Sequence, residues 1–148
     1  MASRSLNPAL KAQHLGEETM SWEISFAANG AVTVVTRGRY TAEGQAQMVQ
    51  DILDHEKWQP GTKTFFDHRE LSFESVDYEA MMNASRVHQN NNERIGNSRT
   101  AILLPDMVAY GSSRQFLSLS AGKISATIKL FTREKDAQRW LITEDDAS

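Results

Sequence analysis

Three consecutive side chains, Asp67-His68-Arg69, form the first place in this chain where acid-base or anion chemistry is conceivable. Histidine titrates near neutrality and can hold or pass a proton, while arginine offers a planar fork that fits a carboxylate or phosphate. A second cation, Arg114, follows Tyr110-Gly111-Ser112-Ser113, and these glycine, tyrosine and arginine positions are the other candidate ligand contacts. Each group also has a plain structural reading. Asp67 can cap backbone N–H groups while Arg69 pairs with Glu70 or Glu74, and Arg114 can pair with a carboxylate such as Asp67. Either way, Asp67 and Arg114 are expected to lie near each other across a shared hollow.

Other chemistries find no support. There is no cysteine, which removes thiolate nucleophiles, disulfides and cysteine-ligated zinc. The four histidines, His14, His55, His68 and His88, show no HExxH-type spacing, so no metal site is expected. Ser112 and Ser113 do not stand in a G-x-S-x-G elbow, and neither phosphate-cradling glycine motif occurs, so no nucleophilic triad and no nucleotide cofactor is expected. Sixteen basic and nineteen acidic residues are well mixed and leave a net charge of −3, with no basic stripe for nucleic acid. The opening residues hold no long apolar run, so a cytoplasmic address is expected. The sequon Asn83-Ala84-Ser85 falls inside an expected helix and is discarded.

The elements that must position these residues can be read from periodicity. Residues 1–20 are a polar, aperiodic leader with at most a short helix around Pro8 to His14, and residues 143–148 are an acidic tail. Between them, residues 21–142 form one domain. Trp22 to Phe26 alternates, Asn29-Gly30 supplies a turn, and Val32 to Thr36 is β-branched, which predicts a hairpin. Thr41 can cap a helix running to Trp58, broken by Pro60-Gly61, before a strand over 63–67. Ser75 can cap a second long helix carrying Val76, Met81, Ala84 and Val87 on one face. Thr100 to Leu104 is apolar without alternation, as an inner strand is. Asp106 can cap a third helix ending near Gly122, Ser125 to Phe131 reads as a strand, and Thr132 can cap a closing helix. The order β-β-α-β-α-β-α-β-α predicts an α/β fold with a mixed, mostly parallel five-stranded sheet.

That order, together with several local motifs, resembles the SpoIIAA-like family of bacterial proteins, whose fold is shared with STAS domains and compared with CRAL-TRIO lipid carriers. The resemblance rests on Trp58-Gln59-Pro60-Gly61, Phe66-Asp67-His68-Arg69-Glu70-Leu71, Arg94-Ile95-Gly96, Tyr110 to Phe116, and Leu130-Phe131-Thr132 with Ala137 to Leu141. It implies binding of an apolar ligand or a membrane surface rather than catalysis. Where STAS anti-sigma antagonists carry a phosphorylatable serine after the third strand, this chain reads Asp67-His68-Arg69-Glu70-Leu71, so a serine phosphoswitch is not expected there.

Tyr78, Met81, Met82, Phe116 and Leu119 put large, adaptable apolar groups on the second and third helices, either around a ligand cleft or as core plus a dimer contact. The leading expectation is a non-enzymatic binding domain with a small apolar or amphipathic ligand between those helices, its polar end met by Asp67, His68, Arg69 and Arg114. The alternative is a homodimeric STAS-type protein-interaction module.

Overall fold

The computed structural model describes residues 19–143; most of the leader, including Pro8 to His14, and all but the first residue of the tail lie outside them. Strands β1 (Ser21–Phe26) and β2 (Val32–Arg39) make the expected hairpin. Its turn needs a left-handed residue, and Gly30 supplies φ 93°. The Thr41 hydroxyl accepts from Gly44 N at 2.9 Å and opens α1 (Ala42–Leu53). This helix stops earlier than its periodicity suggested, because residues 54–58 close into turns.

The chain continues through β3 (Thr64–Ser72), α2 (Tyr78–Asn90), a short helical turn α3 (Asn92–Ile95) and β4 (Arg99–Leu103). It ends with α4 (Met107–Ser120), β5 (Thr127–Phe131) and α5 (Glu134–Ile142). Two expected caps are corrected. Asp77, not Ser75, caps α2 by accepting from Ala80 N, and α5 begins after Arg133 with no side-chain cap. Asp106 caps α4 as expected, accepting from Ala109 N at 2.9 Å.

The sheet order is β1-β2-β3-β4-β5, with β1 antiparallel and the rest parallel. Each parallel crossover steps the same way, and right-handed crossovers of one sense must lay their helices on one face. Accordingly α1, α2 and α4 cover a single face, where Met48, Ile52, Met81, Ala84, Ala109 and Phe116 pack on Trp22, Val32, Val34 and Leu71. Helix α5 has no strand after it and closes the opposite face, placing Ala137 and Leu141 on Phe65, Ala101, Leu103 and Phe131. Strand β4 is therefore covered on both faces, which explains its unbroken apolar run.

Two of the recurring motifs hold each other at the edge where β3 and β4 begin. Gly61 N donates to Ile95 O at 2.9 Å, and Trp58 Nε1 donates to Arg94 O at 2.9 Å. The Arg94 guanidinium reaches back to Leu53 O and Asp54 Oδ1. A Cβ on Gly96 would sit 2.8 Å from Gly61 N, so the two glycines permit this approach. Trp58 to Gly61 and Arg94 to Gly96 thus form a structural clamp at the sheet edge away from Asp67.

Candidate functional site

Strand β3 carries the site, and its register decides where the chemistry goes. Val35 pairs with Asp67, but the next aligned pair is Arg37 with Glu70, so His68 and Arg69 together oppose Thr36. This is a β-bulge, a device that re-aims side chains. Asp67 and Arg69 lie on the α5 face: Arg69 donates to both carboxylate oxygens of Asp67, at 3.0 and 2.9 Å, and lies 3.4 Å from Glu134 of α5. These bonds from Arg69 hold the Asp67 carboxyl below its usual pKa, and Asp67 in turn raises that of Arg69.

His68 turns the other way, into the core. Its Nδ1 lies 2.8 Å from Thr36 Oγ1, which is 3.3 Å from Asp67 O. Both contacts are satisfied when Thr36 donates to the carbonyl and His68 Nδ1–H donates to Thr36, an assignment that leaves Nε2 as an acceptor. Burial lowers the His68 pKa to about 4, against the opposing pull of Asp67, so the ring is neutral at pH 7.

The bulge also begins a ledge. The last β3–β4 pair is Asp67 with Leu103, whereas β2 and β3 stay paired as far as Arg39 and Ser72. These two strands overrun β4, and the loop from β4 into α4 crosses beside them. The result is an open crevice of about 640 Å³ at the carboxyl ends of the strands. Its apolar lining comes from Leu71, Phe73, Pro105 and Val108, and its polar lining from Arg39, Arg69, Glu70, Glu74 and Asp106. Small-molecule sites span about 300–1,000 Å³, so this space is of ligand size.

Beneath it, between the sheet and α1, α2 and α4, lies a smaller cavity of about 60 Å³. Met20, Met48, Met81, Phe66 and Phe116 make it mostly apolar, while Tyr40, Gln45, His68, His88 and Ser113 add polar groups. No carboxylate, lysine or arginine lines it. Among the described residues, His88 Nδ1 is the buried side-chain nitrogen or oxygen without a hydrogen-bond partner. Its ring stands edge-on to Phe116 at 5.1 Å, and burial lowers its pKa to about 4. Burial also raises the pKa of Tyr40. Phe73 lines both spaces, stacked on Tyr40 at 5.4 Å and 5.9 Å from His68.

Of the residues singled out in the sequence, only Arg69 lines the crevice, whereas His68 and Phe116 line the inner cavity. The expected meeting of Asp67 with Arg114 does not occur. Asp67 is on the α5 face, while Arg114 is exposed on α4, which covers the other. The cleft expected between the second and third long helices is closed as well. Phe116 and Met81 are buried there, and Ser85 Oγ lies 2.7 Å from Ser120 Oγ, joining α2 to α4. Tyr110 and Met82 are half-buried, Tyr78 is exposed, and a Cβ on Gly111 would meet nothing within 4 Å. Tyr40, Phe73, His88 and Ser113 were not expected at a site. His88 had a signal, since it follows Met81 by seven residues and Ala84 by four, on the core stripe of α2.

Set beside known proteins, this architecture has a solved counterpart. The crystal structure of an uncharacterised protein from the DUF3478 family with a SpoIIAA-like fold, from Shewanella loihica PV-4, aligns with a TM-score of 0.53 at 18% identity. The alignment covers 82% of this chain and 93% of that one. The chain has the SpoIIAA-like fold. No protein-family profile matches the chain, and no curated protein matches it. Within the SpoIIAA-like frame, the turn after the β3–β4 pairing carries Asp67, His68 and Arg69, and no hydroxyl side chain stands at those three positions. Among the described residues no helix is long and apolar enough to cross a membrane, and no group of three or more histidine, aspartate or glutamate side chains is placed to hold a metal ion.

Proposed function

We propose that this chain is a non-enzymatic binding domain that takes a small amphipathic molecule, such as a fatty acid, in the crevice at the carboxyl ends of β2, β3 and β4. The observation that carries this reading is the crevice itself, about 640 Å³ with apolar and charged lining on adjoining walls. Leu71, Phe73, Pro105 and Val108 suit an apolar segment, and the arginines suit its acidic end. His68 does not favour catalysis in that crevice. It lines the inner cavity, with Nδ1 against Thr36 and a lowered pKa.

Native mass spectrometry of gently purified protein tests the reading. A bound small molecule is expected, and Val108→Glu should release it. A bare protein mass, combined with no shift of the Leu71, Glu74 or Val108 amides on titration with decanoate below its micellar range, would overturn it.

A second reading, a homodimeric protein-interaction module, is favoured by Tyr78, Met107 and Val108, which are 53%, 69% and 64% exposed. They open α2 and α4 at the same sheet edge. Sedimentation analysis separates the two: a dimer abolished by Met107→Asp while decanoate binding persists would favour the module.

A further inference from the structure

Three observations meet at Phe73. It is the residue shared by the linings of the crevice and the inner cavity. It is only 6% exposed, yet it belongs to the loop between β3 and α2 rather than to a strand, so its ring can turn without breaking a ladder. Behind it, the cavity ends at an imidazole nitrogen that has been taken from water and given nothing in return, a condition native interiors rarely leave uncorrected.

The cavity alone, at about 60 Å³, has room for about four or five waters. Turning the Phe73 ring out into the crevice would add the space the ring now fills. Met20, Met48 and Met81, which also line the cavity, are unbranched and can follow a guest's shape. The walls are apolar, so a guest in this space must be mainly apolar. The unpartnered His88 Nδ1 asks it for one hydrogen-bonding atom, and no charged side chain is present to receive an ion.

We propose that Phe73 is the gate between two chambers of one binding site, and that the ligand keeps its polar end in the crevice while passing an apolar arm, tipped with a neutral hydrogen-bonding group, inward to His88. This rests on the crevice being the binding site and adds the second chamber and the chemistry of the arm. A phenol or hydroxyl at the far end of an aromatic or short aliphatic arm meets these requirements. The Nδ1 atom then gains its partner, and the ring of the guest replaces the contacts that Phe73 gives up to Tyr40 and His68.

Three probes separate the possibilities: propanoate, 3-phenylpropanoate and 3-(4-hydroxyphenyl)propanoate, titrated into full-length protein labelled with ¹⁵N in the backbone and in histidine. The phenol is expected to bind roughly three- to tenfold tighter than its phenyl analogue, the usual worth of one hydrogen bond, and to move the His88 Nδ1 resonance. Filling the cavity with Ala84→Leu should reduce both aromatic probes to the affinity of propanoate. Ser113→Val is the second filling variant should the first fail to fold. His88→Phe should abolish the preference for phenol over phenyl while leaving the protein folded. Crevice amides that shift with all three probes, with an unmoved His88 resonance and no effect of the filling variants, would overturn the two-chamber proposal and leave the crevice reading standing. No shift anywhere with any probe would overturn both.

Discussion

The two faces of the sheet treat neighbouring residues of β3 in opposite ways. On the α5 face, Asp67 meets Arg69, which is also close to Glu134, and both partners retain solvent: the side chains of Arg69 and Glu134 are about half exposed. On the face covered by α1, α2 and α4, His68 is enclosed and neutral, and a second imidazole, His88, lines the same cavity. One peptide bond separates charge held at the rim from neutrality held in the core. The bulge opposite Thr36 makes this possible, because it lets Arg69 return to the side of Asp67 while His68 stays inside. Stability should therefore respond strongly to changes on one face and weakly to changes on the other.

The sharpest break of this comparison would come from the helix-covered core. Phe116→Ala should cost about 3–5 kcal/mol in urea unfolding, as deletion of a buried aromatic does. A loss below about 1 kcal/mol would mean that α4 does not close over the sheet as described.

Acid should act through the same face. In the unfolded chain a histidine binds its proton near pH 6.5, but His68 and His88 in the folded protein wait until about pH 4. Between those values the unfolded state holds more protons, so stability is complete above about pH 6.5 and falls as the pH drops toward 4. His68 alone accounts for up to about 3 kcal/mol of this loss, and His88, half-buried as a residue, for less. Equilibrium unfolding at pH 7, 5.5 and 4.5 reads the trend; a flat profile would place both imidazoles in water.

Substitution distinguishes the two histidines from each other. His68→Phe strands the Thr36 hydroxyl and should destabilise by about 1–3 kcal/mol. His88→Phe removes an unpaired buried nitrogen and should be neutral or stabilising by about 1 kcal/mol, read from the shift in urea midpoint. Equal losses for both would show that His88 has a partner of its own. The smallest effect belongs to the α5 face: Glu134→Gln should change stability by less than about 1 kcal/mol, and 0.5 M salt should erase most of the difference.

Much of this architecture was legible in local patterns. The hairpin turn at Asn29-Gly30 and the caps at Thr41 and Asp106 work through residues only a few positions apart, so sequence alone exposes them. Ser75 and Thr132 were the wrong caps because several polar residues near a helix start can all bond its first N–H groups, and packing chooses among them. The length of β3 was hidden because residues 68–72 lack alternation once a bulge intervenes. With that length went the ledge, and with the ledge the crevice.

The residues by themselves determined the element order and, through the uniform sense of right-handed crossovers, which helices share a face. They also ruled out cysteine chemistry, since that depends only on which atoms are present. Tertiary structure alone decided that Asp67 and Arg114 would be divided by the sheet, that the helix pair would close, and that Phe73 would stand between two hollows. Those outcomes depend on register shifts of one residue and on packing between segments far apart in the chain, and neither leaves a mark in local composition.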